Sequence, residues 1–521
     1  MPVQIEIIAF NDKFNSLNIN NSDSEISIIT YGLIVDFDGD FPISFESFKR
    51  AYFSEGINFI SRLNGSWLIY IHDKFNNVKY VATDQYSDQS IYYSHSEKGL
   101  YISNSIWNVL EKTDGSNPHL SELGCNQMLN FGQCFKDFTL FKNVKKLIAG
   151  HFIEIDSNQE FSTKKYHQFI VHDIEIDKDS ILKKLDALFN QAVQRQFKID
   201  EYLGFSRSTC FLSGGMDSRN TVLTAKRLGF NIKALSFGSA DSHDLAIASE
   251  ICKHNGIDHQ IRHFDFSKPN DSFIAAIKSS DGLTSLEHVL DTFHNGKSID
   301  LNYIGVLHTG QIGAIIGSRP PIFQRSQNLI SELGVSFNNK NEFIETIYEK
   351  SFNGDLIGNK ISRNQTIALS PYLDLDFANF SMGLNENLKL RRKLYLEWII
   401  NSKPEQASYP WSATGLDLYK SYRIKHGTGL INMAYRKIRK PKRIKPLKNW
   451  AEFVEEKEFR DSINRTLAKG SELIRSYGQS NIITLFIENV NINPIVKELR
   501  QLTVCSAFMI AIQKTNSDIK P

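Results

Sequence analysis

One stretch constrains the fold of this chain more than any other. It reads Cys210-Phe211-Leu212-Ser213-Gly214-Gly215-Met216-Asp217-Ser218-Arg219-Asn220-Thr221-Val222-Leu223. An apolar run, Thr209 to Leu212, ends in a Ser-Gly-Gly turn, and a helical pattern starts directly after it. Asp217 or Ser218 is expected to cap that helix, and Gly229 to close it. A strand, a glycine turn and a helix N-terminus gather backbone N–H groups and the positive end of a dipole at one spot, which suits phosphate. Gly214 and Gly215 let a ligand approach the backbone where a Cβ would collide, and Ser213 and Ser218 add hydroxyl donors. Asp217 narrows the reading, because a carboxylate beside phosphate oxygens is repulsive unless a cation such as Mg²⁺ sits between them. Taken alone, the hexapeptide also reads as a plain strand-to-helix turn with a capping aspartate.

The flanks favour the phosphate reading. Ile232 to Phe237 reads as a second buried strand, Asp244 to Asn255 as a helix ending at Gly256, and Ile257 to Phe266 as a third strand. Strands alternating with helices of this length predict a parallel, right-handed βαβ sheet with its ligands at the carboxyl ends of the strands. The Walker type of phosphate loop is excluded: Gly296-Lys297-Ser298 has Asp291 where that motif needs its first glycine.

Ser213 to Ser218 resembles the pyrophosphate loop of ATP pyrophosphatases, which cleave ATP to AMP and pyrophosphate. Ala234-Leu235-Ser236-Phe237-Gly238, then Asp244-Leu245, Gly256 and His259, is similar to the asparagine synthetase branch. Ser370-Pro371-Tyr372-Leu373-Asp374 is similar to that branch's Pro-Phe-Leu-Asp element ahead of a long helix. The resemblance implies an α/β parallel-sheet domain of the adenine nucleotide α-hydrolase-like type over 175–521, with an α-rich C-terminal part. It implies ATP contacts at Leu212, Ser213, Gly214, Gly215, Asp217, Ser218, Ser236, Phe237, Gly238, Thr309 and Gly310, and Mg²⁺ held by Asp217.

Residues 1–170 read as mostly β, with short alternating segments at Glu25 to Tyr31, Ser66 to His72, Lys79 to Thr83, Ser90 to Ser94, Leu100 to Ser103 and His151 to Ile155. Leu63-Asn64-Gly65-Ser66-Trp67 through Asp73, then Thr83-Asp84-Gln85-Tyr86-Ser87-Asp88, is similar to the glutaminase domain of class II amidotransferases, an Ntn-hydrolase-like α+β sandwich. In that family an N-terminal cysteine attacks glutamine and releases ammonia. Here Pro2 stands at position 2 and the cysteines fall at 125, 134, 210, 252 and 505. A thiolate on a free α-amine is therefore not expected. The domain reads as a glutaminase relic serving as scaffold, as in the β-lactam synthetases, which also lack the cysteine.

The 521 residues suffice for two or more cores. A net charge of +2 implies neither nucleic acid nor a membrane. Scattered cysteines without a CxxC pair fit reduced thiols, and no secretion signal is visible at the start, so a cytoplasmic protein is expected. A homodimer is compatible with the family resemblance.

Beyond the third strand, Tyr303-Ile304-Gly305-Val306-Leu307 reads as a fourth. His308-Thr309-Gly310-Gln311-Ile312-Gly313-Ala314 follows, where the family has its second nucleotide motif, Ser-Gly-Glu-Gly-Ser-Asp-Glu. Thr309 and Gly310 match, Gln311 stands at the glutamate, and Ala314 replaces the Mg²⁺-holding aspartate. No acidic residue lies between Asp300 and Glu332, so no shift of register restores one. The family's catalytic lysine has no match within Ser408 to Gly415. Lys420 and Lys425 follow, and Lys420 joins Asp217 as a candidate catalytic residue. Arg436 to Lys448 is strongly basic, a solvated face or an anion-binding lip. His254, His259 and His263 have no metal-ligand spacing.

Two functions follow. The first is an ATP-dependent, AMP-forming amide ligase joining a small-molecule carboxylate to ammonia or an amine through an acyl-adenylate, without its own glutaminase. The alternative is a catalytically degenerate nucleotide-binding or scaffold protein.

Overall fold

The computed structural model describes residues 2–10, 12–113, 117–172, 176–263, 269–290, 303–317, 342–427, 456–488 and 493–515. The basic run at 436–448 lies outside them.

Among the described residues, period-two alternation in the first half produces ten strands in two sheets. Five of the six strands of the larger sheet are β3 (Ile26–Asp36), β4 (Asn64–Asp73), β5 (Val78–Thr83), β9 (His151–Ile155) and β10 (Phe161–Lys165), with β2 (Asn20–Ser22) at one edge. The order is β10-β9-β5-β4-β3-β2, antiparallel throughout. The smaller sheet, β1-β7-β6-β8, comprises β1 (Val3–Glu6), β6 (Tyr92–Ser96), β7 (Gly99–Ser103) and β8 (Lys145–Lys146), with β1 parallel to β7. Leu68, Val81 and Ile153 of the larger sheet share a buried cluster with Leu100 and Ile102 of the smaller one, so the two pack face to face. The larger sheet's other face is covered by α1 (Phe45–Glu55) through Phe48 and Tyr52, against Ile28, Trp67 and Ile69. Each of the six strands expected in this half is present, β9 over the residues expected.

In the second half, β11 (Ser208–Phe211), β12 (Ile232–Gly238), β13 (Asp258–His263), β14 (Leu307–His308) and β15 (Ala368–Leu369) form one sheet in the order β13-β12-β11-β14-β15, all parallel. The fourth strand differs from expectation. Tyr303 is 82% exposed and pairing begins only at Leu307. The helix α4 (Lys178–Tyr202) lays Leu185, Phe189, Val193 and Phe197 into the core, following its 3.6-residue stripe. After β11 comes α5 (Met216–Arg227), and after β12 comes α6 (His243–Asn255), closed by Gly256 in the left-handed region.

The C-terminal part is helical, as expected. The apolar pattern from Leu388 to Asn401 reads as one helix, but Arg391 and Arg392 both have positive φ, and the helix proper is Lys393–Ser402. Among the described residues no helix is long and apolar enough to cross a membrane.

The halves share a core. Trp107 and Leu110 of α2 (Ile106–Thr113) and Met128 and Leu129 of α3 (Glu122–Phe131) join Phe273 and Ile277 of α7 (Pro269–Ser279). Phe459, Leu502 and Phe508 of the last helices complete the cluster. A buried ionic knot lies at the same junction. The Arg363 guanidinium donates to both oxygens of Asp281 at 3.0 and 3.1 Å, Tyr92 donates its hydroxyl at 2.9 Å, and Lys360 lies 3.3 Å away. Burial alone would raise the Asp281 carboxyl, but Arg363 and Lys360 together hold it below the usual range.

Asp281→Ala leaves Arg363 and Lys360 buried without their counter-ion. It is expected to cost about 3–5 kcal/mol in urea unfolding. A second outcome concerns His167, whose imidazole is pushed down to about 4 by burial. Between that value and the unfolded 6.5 the unfolded chain binds more protons, so stability is lost as pH falls through this window. The slope is up to about 1.4 kcal/mol per pH unit. Unfolding midpoints at pH 7 and pH 5 should converge in His167→Gln.

Candidate functional site

The phosphate-type loop leaves the carboxyl end of β11 and enters α5 at the centre of the parallel sheet. Neither Asp217 nor Ser218 caps the helix. The N-cap is Gly215, whose position has no side-chain cap. Ser218 instead folds back, its Oγ accepting from the Ser213 N–H at 3.0 Å and lying 3.0 Å from Ser213 Oγ. The Gly215 N–H donates to Ser213 Oγ at 3.2 Å, and the Gly214 N–H donates to Asp244 Oδ1 at 3.1 Å. The first-turn N–H groups of α5 have no intrahelical acceptor, as at any helix start. Burial raises the Asp244 carboxyl against an opposing hydrogen bond from Ser412.

A second loop, after β14, lies directly on that helix start. A Cβ at Gly310 would stand 2.2 Å from the Ser218 nitrogen, and one at Gly313 would stand 2.4 Å from Cγ of Asp217. At 310 the clash is with backbone and only glycine fits; at 313 a Cβ would require the Asp217 carboxylate to move. The Asp217 carboxylate is thus held against backbone, and its Oδ1 is buried without a hydrogen-bond partner among the described residues. Burial first, and the Asp217 carboxylate second, push the hydroxyls of Tyr372 and Tyr395 well above the usual tyrosine range. Those hydroxyls lie 2.5 Å apart, and Tyr372 accepts from Asn220 Nδ2 at 3.0 Å. Behind them Lys403, fully buried, donates to Asn220 Oδ1 at 2.7 Å and Thr224 Oγ1 at 2.9 Å; burial brings its ammonium down to about 7.

Arg219 locks the loop from below. Only 1% exposed, it donates to Gly214 O at 3.1 Å, Gln406 O at 3.3 Å, Tyr409 O at 3.2 Å and Pro410 O at 2.5 Å. Burial pushes its guanidinium down to about 10. The Ser412 N–H closes the same join by donating to Gly214 O at 3.1 Å. Sequence reasoning missed Arg219, Tyr395 and Lys403, and named Asp244 only as part of the family resemblance. A polar residue at a core-facing helical position, which Arg219 and Asn220 both are, was the available signal.

The residues expected at the nucleotide divide into two groups. Leu212, Ser213, Gly214, Gly215, Asp217, Ser218 and Gly310 come together around the loop. The hydroxyls of Ser236 and Thr309 are turned into the sheet: Ser236 Oγ donates to Leu212 O at 2.7 Å, and Thr309 Oγ1 to Leu369 O at 3.2 Å. Both position loops. Phe237 packs edge-on against Phe211 at 5.3 Å, and Gly238 ends β12. Lys420 is not gathered at the loop. It is 59% exposed and paired with Asp417 at 2.7 Å, on the N-cap of its own helix. Lys425 instead stands 4.1 Å over the Trp411 ring, with the Arg392 guanidinium 5.7 Å from the same ring. Burial, then Arg392, lowers the Lys425 ammonium.

A Mg²⁺ ion fits this arrangement through one carboxylate. Asp217 offers an unpartnered buried oxygen, and no cluster of three or more His, Cys, Asp or Glu able to hold a metal occurs among the described residues. The remaining ligands would be phosphate oxygens and water.

Two family models match the chain: a glutamine amidotransferase domain over residues 45–167 and asparagine synthase over 184–294. A probable glutamine-hydrolysing asparagine synthetase of Acanthamoeba polyphaga mimivirus is 24% identical over 65% of this chain and 59% of its own length. Two glutamine-hydrolysing asparagine synthetases of Bacillus subtilis (strain 168) are 25% and 23% identical over 33% and 34% of this chain. The matches span 24% and 27% of those two proteins, so the chain covers less than two thirds of each relative.

Gly313→Ala should displace the Asp217 carboxylate while changing no donor. Calorimetric titration with ATP and Mg²⁺ is expected to show at least about tenfold weaker binding, equivalent to about 1.4 kcal/mol.

Proposed function

We propose that this chain, a member of the asparagine synthetase family, is an ATP-dependent, AMP-forming amide ligase that works without a glutaminase of its own. The observation that carries the reading is the Ser213–Ser218 loop at the carboxyl edge of a parallel sheet, with the unpartnered Asp217 oxygen beside it. A substrate carboxylate oxygen attacks the α-phosphorus of ATP. The new O–P bond forms as the bond to the β-phosphate breaks, and pyrophosphate leaves with the electron pair. An amine nitrogen then attacks the acyl carbon, the C–N bond forms, AMP leaves with its electron pair, and the nitrogen's proton passes to water. Ser213 to Ser218 hold the pyrophosphate. Asp217 holds Mg²⁺, which offsets the phosphate charge when bound. Lys425 and Arg392, rather than Lys420, stand over the Trp411 ring beside the loop's closing segment.

Residues 1–170 are read as a glutaminase-type sandwich kept as scaffold, and 175–521 as the ligase domain. All five cysteines are buried and unpaired, and burial raises every thiol, to about 12 at Cys134, Cys252 and Cys505 and well above the usual range at Cys125 and Cys210. A thiol so placed is a poor nucleophile.

The second reading, a nucleotide-binding scaffold, is favoured by Asp244, which already occupies the Gly214 N–H. Calorimetry with ATP and Mg²⁺ on the wild type and Asp217→Ala separates them from a non-nucleotide role. Binding should weaken at least about tenfold in the variant. Binding with no release of AMP and pyrophosphate across a carboxylate and amine panel favours the scaffold. No binding by the folded wild type overturns the ligase and nucleotide-binding readings and leaves a scaffold without nucleotide.

A further inference from the structure

A line of buried hydrogen bonds runs through the core behind the loop and ends at the carboxylate proposed to hold Mg²⁺. Its members are Lys403, Asn220 of α5, Tyr372 and Tyr395; Lys403 is 4% exposed and the other three 0%. Lys403 Nζ has three acceptors: Asn220 Oδ1 at 2.7 Å, Thr224 Oγ1 at 2.9 Å and Asp186 Oδ1 at 3.4 Å. Asn220 Nδ2 donates to the Tyr372 hydroxyl at 3.0 Å, and the Tyr372 and Tyr395 hydroxyl oxygens lie 2.5 Å apart. The Asp217 carboxylate is the further partner of Tyr395.

The order of donors along this line is set from the lysine end. An ammonium has three protons and no lone pair, so each of its contacts is a donation. The Asn220 amide must turn its oxygen to Lys403, which commits its NH₂ group to Tyr372. Tyr372 therefore keeps its own proton for another acceptor. Between oxygens 2.5 Å apart one proton must lie, or the two lone pairs would face each other. If Tyr372 supplies that proton, Tyr395 is left to donate to Asp217. The opposite direction sends the Tyr372 proton to Asp217 O, at a long 3.4 Å, and leaves the carboxylate with none. A hydrogen bond to an ionised oxygen is about twice as strong as one to a neutral oxygen, which favours the first direction.

We propose that Lys403 is a positioning residue for the metal site: through Asn220, Tyr372 and Tyr395 it points a hydroxyl proton at Asp217, fixing one carboxylate oxygen and leaving Oδ1 for Mg²⁺. Oδ1 is the oxygen that has no hydrogen-bond partner among the described residues. The inference rests on the ligase reading for the metal, and adds to it the residue that holds the metal ligand in place.

The test is calorimetric titration of the full chain with ATP, in Mg²⁺ and separately in EDTA, and the readout is the ratio of the two affinities. It is run at pH 6, below the value of about 7 to which burial brings the Lys403 ammonium, so that the lysine is charged. Asn220→Asp keeps the shape and the pairing with Lys403 but offers Tyr372 an acceptor in place of a donor. The Tyr372 proton then goes to residue 220, Tyr395 donates to Tyr372, and Asp217 loses its donor. The ratio should fall at least about tenfold, with the affinity in EDTA within about twofold of the wild type and the urea midpoint retained. An added negative charge would by itself draw a cation in, so charge alone predicts the opposite change. Tyr395→Phe should lower the ratio as far, and the double variant no further. Should Asn220→Asp fail to fold, Lys403→Met, which frees the amide to rotate, takes its place with the same expectation. The proposal is overturned by an unchanged ratio in these variants, by additive effects in the double variant, or by affinities that fall alike in Mg²⁺ and EDTA. Those outcomes leave the ligase reading standing. A wild type that binds ATP without any Mg²⁺ dependence also removes only this proposal, whereas a wild type that binds no ATP removes the ligase reading and this proposal with it.

Discussion

The site depends on the close approach of a second loop to a helix start. Gly310 and Gly313 press on the first turn of the helix that follows Ser213–Gly215, at separations no Cβ tolerates. That contact fixes where the Asp217 carboxylate points and encloses one of its oxygens. A side chain at 313 would have to occupy the volume the Asp217 carboxylate already fills.

A good deal of the fold was legible in the sequence. Alternation marked six of the first-half strands, and the Ser-Gly-Gly turn between an apolar run and a helix placed the centre of the parallel sheet. The failures have local causes. Tyr303 to Leu307 has the composition of a buried strand, but pairing starts only where Leu307 and His308 meet β11 and β15, and Tyr303 is exposed. The helical pattern at 388–401 carries no glycine or proline, so nothing in it signalled the left-handed pair Arg391–Arg392.

The site was legible in its loop and illegible in its support. Gly214, Gly215, Asp217 and Gly310 could be named because their chemistry is local. Arg219 could not, since its four carbonyl partners lie on the loop and nearly 190 residues away in sequence. Ser236 and Thr309 show the converse. Their hydroxyls sit at the expected places and are turned inward, holding the strand ends in register. Lys420 was chosen by nearness in sequence alone, and its own N-cap aspartate holds it outside the loop's contacts.

The shared core bears on the history such a chain can have. Trp107, Leu110, Met128 and Leu129 are held by the same packing that seats Phe459, Leu502 and Phe508. No variant of this chain could discard the sandwich whatever chemistry it carries, because removing it would strip the last helices bare. Positions buried at the seam stay under structural selection on their own account, and the first half is a permanent wall of its neighbour.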